Sequence, residues 1–466
     1  MRILFVSSEV FPFSKTGGLA DVSGALPKSL VDLGSEILVI TPWYRTLQAT
    51  PPPLWIGDVE VPFDGDFESV GVGTLERDGV RYAFVGHPDY QREELYGYPD
   101  DVRRFARFTR SAPQIAARLG FKPDIVHVND WHSAYLPLVL THGWHLPKGF
   151  AGLPSILTIH NVQYQGSSGI EEVLYWLRLP GAFRHSYLNH FGAANALQAG
   201  LGFANRVTTV SPSYAQEITL PEYGYGLDGT LRHIAHKLFG ILNGLDTEVW
   251  NPQKDPYLVS SYCCNHLEGK VVAKKHLCDK LQLDSDRPLL AVVSRLVEQK
   301  GIDLFLAASD ELILKGWSLA LLGSGDKKLE VAAEQLAAKY PGRMTTYLGY
   351  DEPLAHQVYA GADALAIPSR FEPCGLNQMI AMRYGTLPIA RATGGLKDTI
   401  THEQTGFLFD KASSKDFLET ASYAKSLYGT PEWDRLVEHA MRQDFSWQVS
   451  AAAYHKLYSA TIFPLP

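Results

Sequence analysis

Short aliphatic or β-branched runs recur along this chain at spacings that leave room for one helix between neighbours. They stand at Ile3–Val6, Ile37–Ile40, Ile125–Val128, Ser155–Ile159, Val207–Val210 and Gly240–Leu242. A second series follows at Leu289–Val293, Leu319–Leu322, Met344–Tyr347, Ala364–Ile367 and Leu387–Ala390. A continuous apolar run bounded by turn residues is how a strand covered on both faces reads, so the pattern predicts parallel sheets with crossover helices. Two series predict two doubly wound α/β units, which suits 466 residues of which 45% are hydrophobic.

Between Val59 and Val85, alternating runs with Gly and Asp turns predict antiparallel hairpins. Arg103–Leu119 predicts a helix with Phe105, Phe108, Ala112, Ile115 and Leu119 on one face, arginines on the other, and a kink at Pro113. Asn243–Asp286 has little periodicity and reads as the crossing between sheets. The expected division is therefore residues 1–242, residues 243–446, and a terminal helix within 447–466 that packs back on the first unit. Thr16-Gly17-Gly18-Leu19-Ala20-Asp21 returns as Thr393-Gly394-Gly395-Leu396-Lys397-Asp398, each ahead of a predicted helix, which matches two similar units.

Charge narrows the partners. With 42 Lys+Arg against 50 Asp+Glu the chain carries a formal −8, and no basic field exists to hold a nucleic-acid backbone. No run of about 18 apolar residues is present, and the start reads as a strand rather than a signal peptide, so a cytoplasmic protein without a membrane partner is expected. Cys263, Cys264, Cys278 and Cys374 form no Cys-x-x-Cys, which predicts reduced thiols and no zinc site.

The unusual residues follow the strands. Lys15-Thr16-Gly17-Gly18, Asn129-Asp130-Trp131-His132 and His160-Asn161 do so in the first half. Ser294-Arg295 through Lys300-Gly301, and Pro368 through Gly375, do so in the second. Ligands of open parallel sheets bind beyond the carboxyl ends of the strands, so these loops can line a crevice, with a cleft between two such units as the natural site. A Gly-Gly pair ahead of a helix lets an anion approach unpaired N–H groups, although a plain tight turn is the commoner explanation of one pair alone. Arg295 and Lys300 suit a diphosphate whose charge grows as it leaves. For Glu372, between Phe371 and Pro373, two readings stay open: a carboxylate serving a sugar or its anomeric carbon, or a helix cap. Cys374 reads as a small buried residue, and His160 and Asp130 share one sheet edge. Tyr96, Tyr98, Trp131, Tyr164 and Tyr350 are aromatics expected in loops, suited to stacking on sugars or a base.

These motifs, in this order, resemble the bacterial glycogen synthases and plant starch synthases over nearly the whole chain. Further matches are Ser8-Glu9-Val10, Thr209-Val210-Ser211-Pro212, Asn243-Gly244-Leu245-Asp246 and Tyr384-Gly385-Thr386. The resemblance implies the two-Rossmann GT-B architecture and transfer of glucose from ADP-glucose to the non-reducing end of an α-1,4-glucan, with retention and without a metal or other cofactor. It further implies a catalytic group of Glu372, Arg295, Lys300, His160 and Asp130. Lys15, Gly18, Asn243, Tyr350, Cys374 and Gly375 are implied to serve the donor, and Tyr96 and Trp131 are expected on the acceptor. Gln198 departs from the family's usual lysine, Asn377 from its threonine or aliphatic residue, and Gly166-Ser167-Ser168 is more polar than usual. Ile380 stands where the wider retaining pattern has a second glutamate. Three competing readings are a dinucleotide oxidoreductase, which lacks its G-x-G-x-x-G, a glucan phosphorylase, which lacks a pyridoxal-lysine context, and a glucan binder without turnover, which has no need of diphosphate cations.

Overall fold

A computed structural model describes residues 1–142 and 144–463. The chain is α/β and divides into two compact units, one of Met1–Gly244 with the C-terminal helix Trp447–Ile462, the other of Leu245–Ser446. The passage lies after Gly244, two residues beyond the point read from the sequence. Residues 464–466, with which the sequence reading ended the chain, lie outside the described residues.

Unit 1 is built on β1 (Arg2–Val6), β2 (Glu36–Pro42), β3 (Leu54–Phe63), β4 (Asp66–Arg77), β5 (Val80–Gly86), β6 (Ile125–Asn129) and β7 (Ser155–Ile159). To these it adds β8 (Ser167–Gly169), β9 (Asn189–His190), β10 (Ala193–Asn195), β11 (Arg206–Thr209) and β12 (Leu238–Gly240). The main sheet runs β12-β11-β7-β6-β1-β2-β5-β4-β3, and β8-β10-β9 form a small second sheet. The strands from β12 through β5 are parallel, while β4 and β3 are antiparallel additions. Expected as part of a hairpin alone, β5 also pairs parallel with β2, which joins the hairpins to the main sheet. β12 lies two residues earlier than expected because it is a half-exposed edge whose burial does not follow its apolar residues.

Strand order reverses at β1, which lies between β6 and β2, so the loops after β1 and β6 flank the switch point. Aliphatic residues of β1, β2 and β5 form the core with Phe13, Val22 and Leu26, and the terminal helix closes it with Trp447, Ala451, Tyr454 and Tyr458. His127 in β6 ties that helix down, bonding the Tyr458 hydroxyl and the Thr158 hydroxyl at 2.6 Å each.

The helix Asp101–Arg118 runs through Pro113 as one element. Its arginine face does not meet solvent: Arg104, Arg107 and Arg110 are all buried. The hairpins and the loop 87–98 cover that face and supply partners. Arg107 pairs with Glu68 and Asp89, Arg104 with Asp101, and Arg110 donates to the Pro62 carbonyl at 2.9 Å.

Unit 2 carries β13 (Leu289–Val293), β14 (Ser318–Gly323), β15 (Met344–Leu348), β16 (Ala364–Ile367), β17 (Leu387–Arg391) and β18 (Phe407–Phe409). The order is β15-β14-β13-β16-β17-β18 with every pair parallel, the doubly wound order with its switch between β13 and β16. The segment read as an aperiodic crossing contains the helix Glu268–Leu281. Its packing face is Gly269, Ala273 and Leu277, mostly small residues, while Val271 and Val272 stand 70% and 47% exposed, so the apolar pattern points away from the contact.

Candidate functional site

The unit 2 site lies at its switch point, where Ser294, Lys300, Ser369, Glu372, Gly375 and Asn377 line one cavity at the carboxyl ends of β13 and β16. Glu372 is buried, and the Lys300 ammonium donates to both its carboxylate oxygens at 2.9 and 2.6 Å while the Ser369 hydroxyl adds 3.0 Å. The helix Asn377–Arg383 behind it has Leu376 at its N-cap and no side-chain cap. Glu372 therefore does not cap that helix. Lys300 was assigned to a diphosphate; here two of its N–H groups serve Glu372, and an ammonium has a third to offer. Arg295 is exposed, and its guanidinium makes no hydrogen bond or ion pair among the described residues. Tyr350 follows β15 and is 80% exposed.

Main-chain contacts hold Glu372 in place. Its carbonyl accepts from the Gly395 amide at 3.0 Å, and a β-carbon on Gly395 would stand 2.0 Å from the Cys374 carbonyl oxygen. Thus the second Gly-Gly pair packs against the backbone of Glu372–Cys374, and its first-turn amide is not offered to an anion. Cys374 is buried, as read, and Gly375 takes φ +75°. Gln378 was not singled out from the sequence, yet its amide nitrogen donates to the carbonyls of Cys374 and Gly375 and to the Thr399 hydroxyl, at 3.1, 3.0 and 3.0 Å. Asn377 donates to the Val293 carbonyl at 2.6 Å, joining this turn to β13.

In unit 1 the first Gly-Gly pair behaves in the opposite way. A β-carbon on Gly17 or Gly18 meets nothing within 4 Å, and neither residue has a positive φ. Nothing inside the chain demands glycine there, and the open space lies over the N-terminus of the helix Gly18–Asp32. Glu9, quoted only as part of a motif, braces this loop. Its buried carboxylate accepts from the Thr16 and Gly17 amides, the Thr16 hydroxyl at 2.7 Å and the Tyr96 hydroxyl at 2.8 Å. Lys15 is half exposed and pairs with Asp21 at 2.7 Å. The two glycine pairs make a paired prediction. Gly18→Ala is expected to melt with the parent but bind a phosphate-bearing donor more weakly. Gly395→Ala is expected to lose about 1–3 kcal/mol of stability. Thermal denaturation beside donor titration checks both, and equal destabilisation by the two would refute the distinction.

Asp130 follows β6 with φ +51° and is buried, and its Oδ1 accepts from the His160 amide at 2.7 Å. Burial pushes its carboxyl up to about 7, against the lowering effect of the His160 and Asn161 amides. His160 bonds through Nε2 to Asn129 Oδ1 at 3.0 Å, and burial lowers its imidazole to about 3. A neutral ring and a protonatable carboxyl thus share one sheet edge. Asn243 holds a buried Oδ1 with no hydrogen-bond partner among the described residues.

Neither acceptor aromatic is an open platform. The Tyr96 hydroxyl is engaged by Ser8 and Glu9, and burial pushes the phenol well above its usual range. Trp131 lies not in a loop but in the short helix Asp130–Ser133, buried against Phe105, His132 and Gly166. Gln198 is buried, accepting from His190 Nδ1 at 2.6 Å and donating to the Asn189 carbonyl at 2.7 Å, so it fastens the small sheet.

Residues 2–233 match the family model "Starch synthase catalytic domain", and residues 274–439 match "Glycosyl transferases group 1". The chain is 46% identical to a glycogen synthase of Deinococcus radiodurans, over 98% of this chain and 99% of that protein. It is 42% identical to a glycogen synthase of Geobacillus stearothermophilus, over 99% and 98%. Among solved structures, the catalytic domain of starch synthase IV from Arabidopsis thaliana, bound to ADP and acarbose, superposes with TM-score 0.89 at 36% identity, covering 99% of each chain. A sucrose-phosphate synthase from Thermosynechococcus elongatus shares the fold at TM-score 0.60 and 18% identity, covering 98% of each chain.

Proposed function

Because the chain belongs to the family of bacterial glycogen synthases and plant starch synthases, we propose that it transfers glucose from ADP-glucose to the non-reducing end of an α-1,4-glucan, retaining the anomeric configuration and needing no metal. The observation that carries this reading is the buried Glu372 carboxylate at the unit 2 switch point, bonded by Lys300, with the unpaired Arg295 guanidinium on the same loop.

In this reading Arg295 and the remaining N–H of Lys300 neutralise the diphosphate as the glycosidic bond breaks, the role a metal fills elsewhere. The open amides beside Gly18, with Lys15, are suited to phosphate oxygens of the donor. Asn243 and the loop Cys374-Gly375 contact the donor, and Tyr350 stacks near its base. Glu372 stabilises positive charge at the anomeric carbon. His160 is neutral, and with Nε2 donating to Asn129 its other nitrogen accepts a hydrogen bond from a sugar hydroxyl. Asp130 orients that loop through the His160 amide. Tyr96 and Trp131 act on the acceptor through the groups they brace rather than by stacking. Four cysteines that form no disulfide among the described residues suit a reducing cytoplasm, where we place the reaction.

Glucose incorporation from radiolabelled ADP-glucose, with UDP-glucose in parallel, into glycogen and maltotriose in the presence of EDTA tests the proposal. Incorporation from ADP-glucose that survives EDTA is the expected result. Dependence on added metal, or no transfer by folded protein, would overturn it.

A further inference from the structure

The arginines of unit 2 are nearly all held inside the chain: Arg287, Arg370, Arg435 and Arg442 pair with carboxylates, and Arg343 and Arg391 donate to carbonyls. Arg295 and Arg383 alone make no hydrogen bond or ion pair among the described residues. The proposed function gives Arg295 to the donor diphosphate, which leaves Arg383. It is half-buried and ends the helix Asn377–Arg383, where the helix dipole favours a cation. The dipole explains the charge and not the burial: Nε is shut off from solvent with no hydrogen-bond partner among the described residues, a cost that an acceptor bound to the guanidinium offsets.

Arg383 lines an open hollow of about 330 Å³, a volume at which small organic ligands are held. Thr247, whose hydroxyl makes no hydrogen bond among the described residues, stands on its wall with Met441 and Phe445. Arg442 lines it too; its Nε and Nη2 serve Glu438 and Asn265, and its Nη1 is not engaged among the described residues. Asp444 supplies a carboxylate to the lining, but its Oδ1 already accepts the Ser446 amide at 2.9 Å. Donors from three segments thus face one space with apolar walls. A phosphate group takes the paired N–H groups of a guanidinium in matching geometry, and the walls suit an organic body attached to it. The hollow shares no lining residue with the cavity at Glu372. Both passages of the chain out of unit 2 border it: Leu245 begins the unit, Phe445 stands one residue before its end, and the Leu245 amide donates to the Phe445 carbonyl at 2.6 Å.

We propose that this hollow is a second anion site, which takes a small organic phosphate monoester on Arg383 and, by joining the two passages, slows turnover. Segments that link two units absorb the backbone change when those units move, so a ligand bridging them opposes the motion. The binding is independent of the proposed function, whereas the effect on turnover rests on it.

The test is calorimetric titration of ribose 5-phosphate, inorganic phosphate and succinate into the full chain, with ADP saturating so that the donor's phosphate contacts are filled. The monoester is expected to bind the parent and to bind Arg383→Gln about tenfold or more weakly, the loss of charge-assisted hydrogen bonds. Thr247→Val is expected to weaken it by only a few-fold. Arg383 has no partner in the chain to strand, so Arg383→Gln is expected to melt with the parent and to keep its turnover when no monoester is present. With saturating ADP-glucose and glycogen, ribose 5-phosphate is expected to lower kcat about twofold or more in the parent and not in the variant. No binding to the parent, or equal binding by Arg383→Gln, overturns the site, as does a variant that melts well below the parent, which would make the arginine structural. Inorganic phosphate or succinate binding as tightly as the monoester overturns the assignment to an organic phosphate. Binding with undiminished kcat overturns the effect on turnover. A parent that binds the monoester but transfers no glucose fails the proposed function alone, and the site is then decided by the titration.

Discussion

Glu372→Gln is expected to lower kcat by about 10³-fold while leaving donor and glucan affinity within a few-fold of the parent. Glutamine keeps an oxygen for Lys300 and for the Ser369 hydroxyl, which meet the carboxylate at 2.6–3.0 Å, so the loop retains its shape. On the proposed function, what is lost is the negative charge opposite the cationic centre of the transition state, a contact worth little in the ground state. Stability confounds the experiment, because removing one partner of a buried pair leaves the other charge uncompensated, at a cost of up to about 3–5 kcal/mol. Lys300 is 19% exposed at its side chain, so the cost falls at the lower end. Adding Lys300→Met to Glu372→Gln takes the stranded charge away, and the double variant is expected to recover stability without recovering turnover. Urea midpoints beside kcat at saturating substrate separate the two effects. Activity that follows the folded fraction, or a single variant keeping a tenth of the parent turnover, would remove Glu372 from the chemistry.

The strands that position these groups were legible for one reason: β1, β6, β7, β13 and β16 are covered on both faces and read as short, mostly apolar runs. β8 to β10 and β18 were not, since two or three residues at the margin of a fold carry no period. The helix Glu268–Leu281 escaped notice because small residues make its contact. Residues placed directly after buried strands, such as Asp130 and His160, or in the loop beyond one, such as Glu372, could be picked out by position. Glu9 and Gln378 could not be assigned work, because their partners include Tyr96, 87 residues away, and Thr399, 21 residues away. The repeated Thr-Gly-Gly-Leu-x-Asp hexapeptide shows the limit most plainly. One copy keeps its glycines for open space and the other for close backbone packing, and only the neighbours of each distinguish them.

Asp130→Asn is expected to be more stable than the parent at pH 8 and less active. Burial raises the folded-state carboxyl to about 7 from an ordinary 3.8, so its contribution is fully present below pH 4 and is lost as pH rises through 7. Above that, the folded chain holds a buried carboxylate it would rather protonate, and asparagine removes the cost, a gain of about 2–4 kcal/mol at pH 8. Asparagine also accepts the His160 amide and tolerates φ +51°. The imidazoles act in the opposite sense. Burial depresses His127 and His160 to about 3 and pushes His132 well below 6.5, so they favour the folded chain above pH 6.5 and lose that contribution as pH falls toward 3. Between about pH 4 and 6.5 these three groups outweigh the single carboxyl, and the parent loses stability on acidification by up to about 3 kcal/mol per pH unit, the net of two protons. The variant lacks the opposing carboxyl and is expected to fall more steeply over that interval, so the two stability curves converge toward pH 4. Urea midpoints from pH 4.5 to 8 check both slopes. A variant less stable than the parent at pH 8 would show that the carboxylate is structural. A stabler variant with impaired turnover would mean that the chain keeps a destabilising group because the reaction needs it.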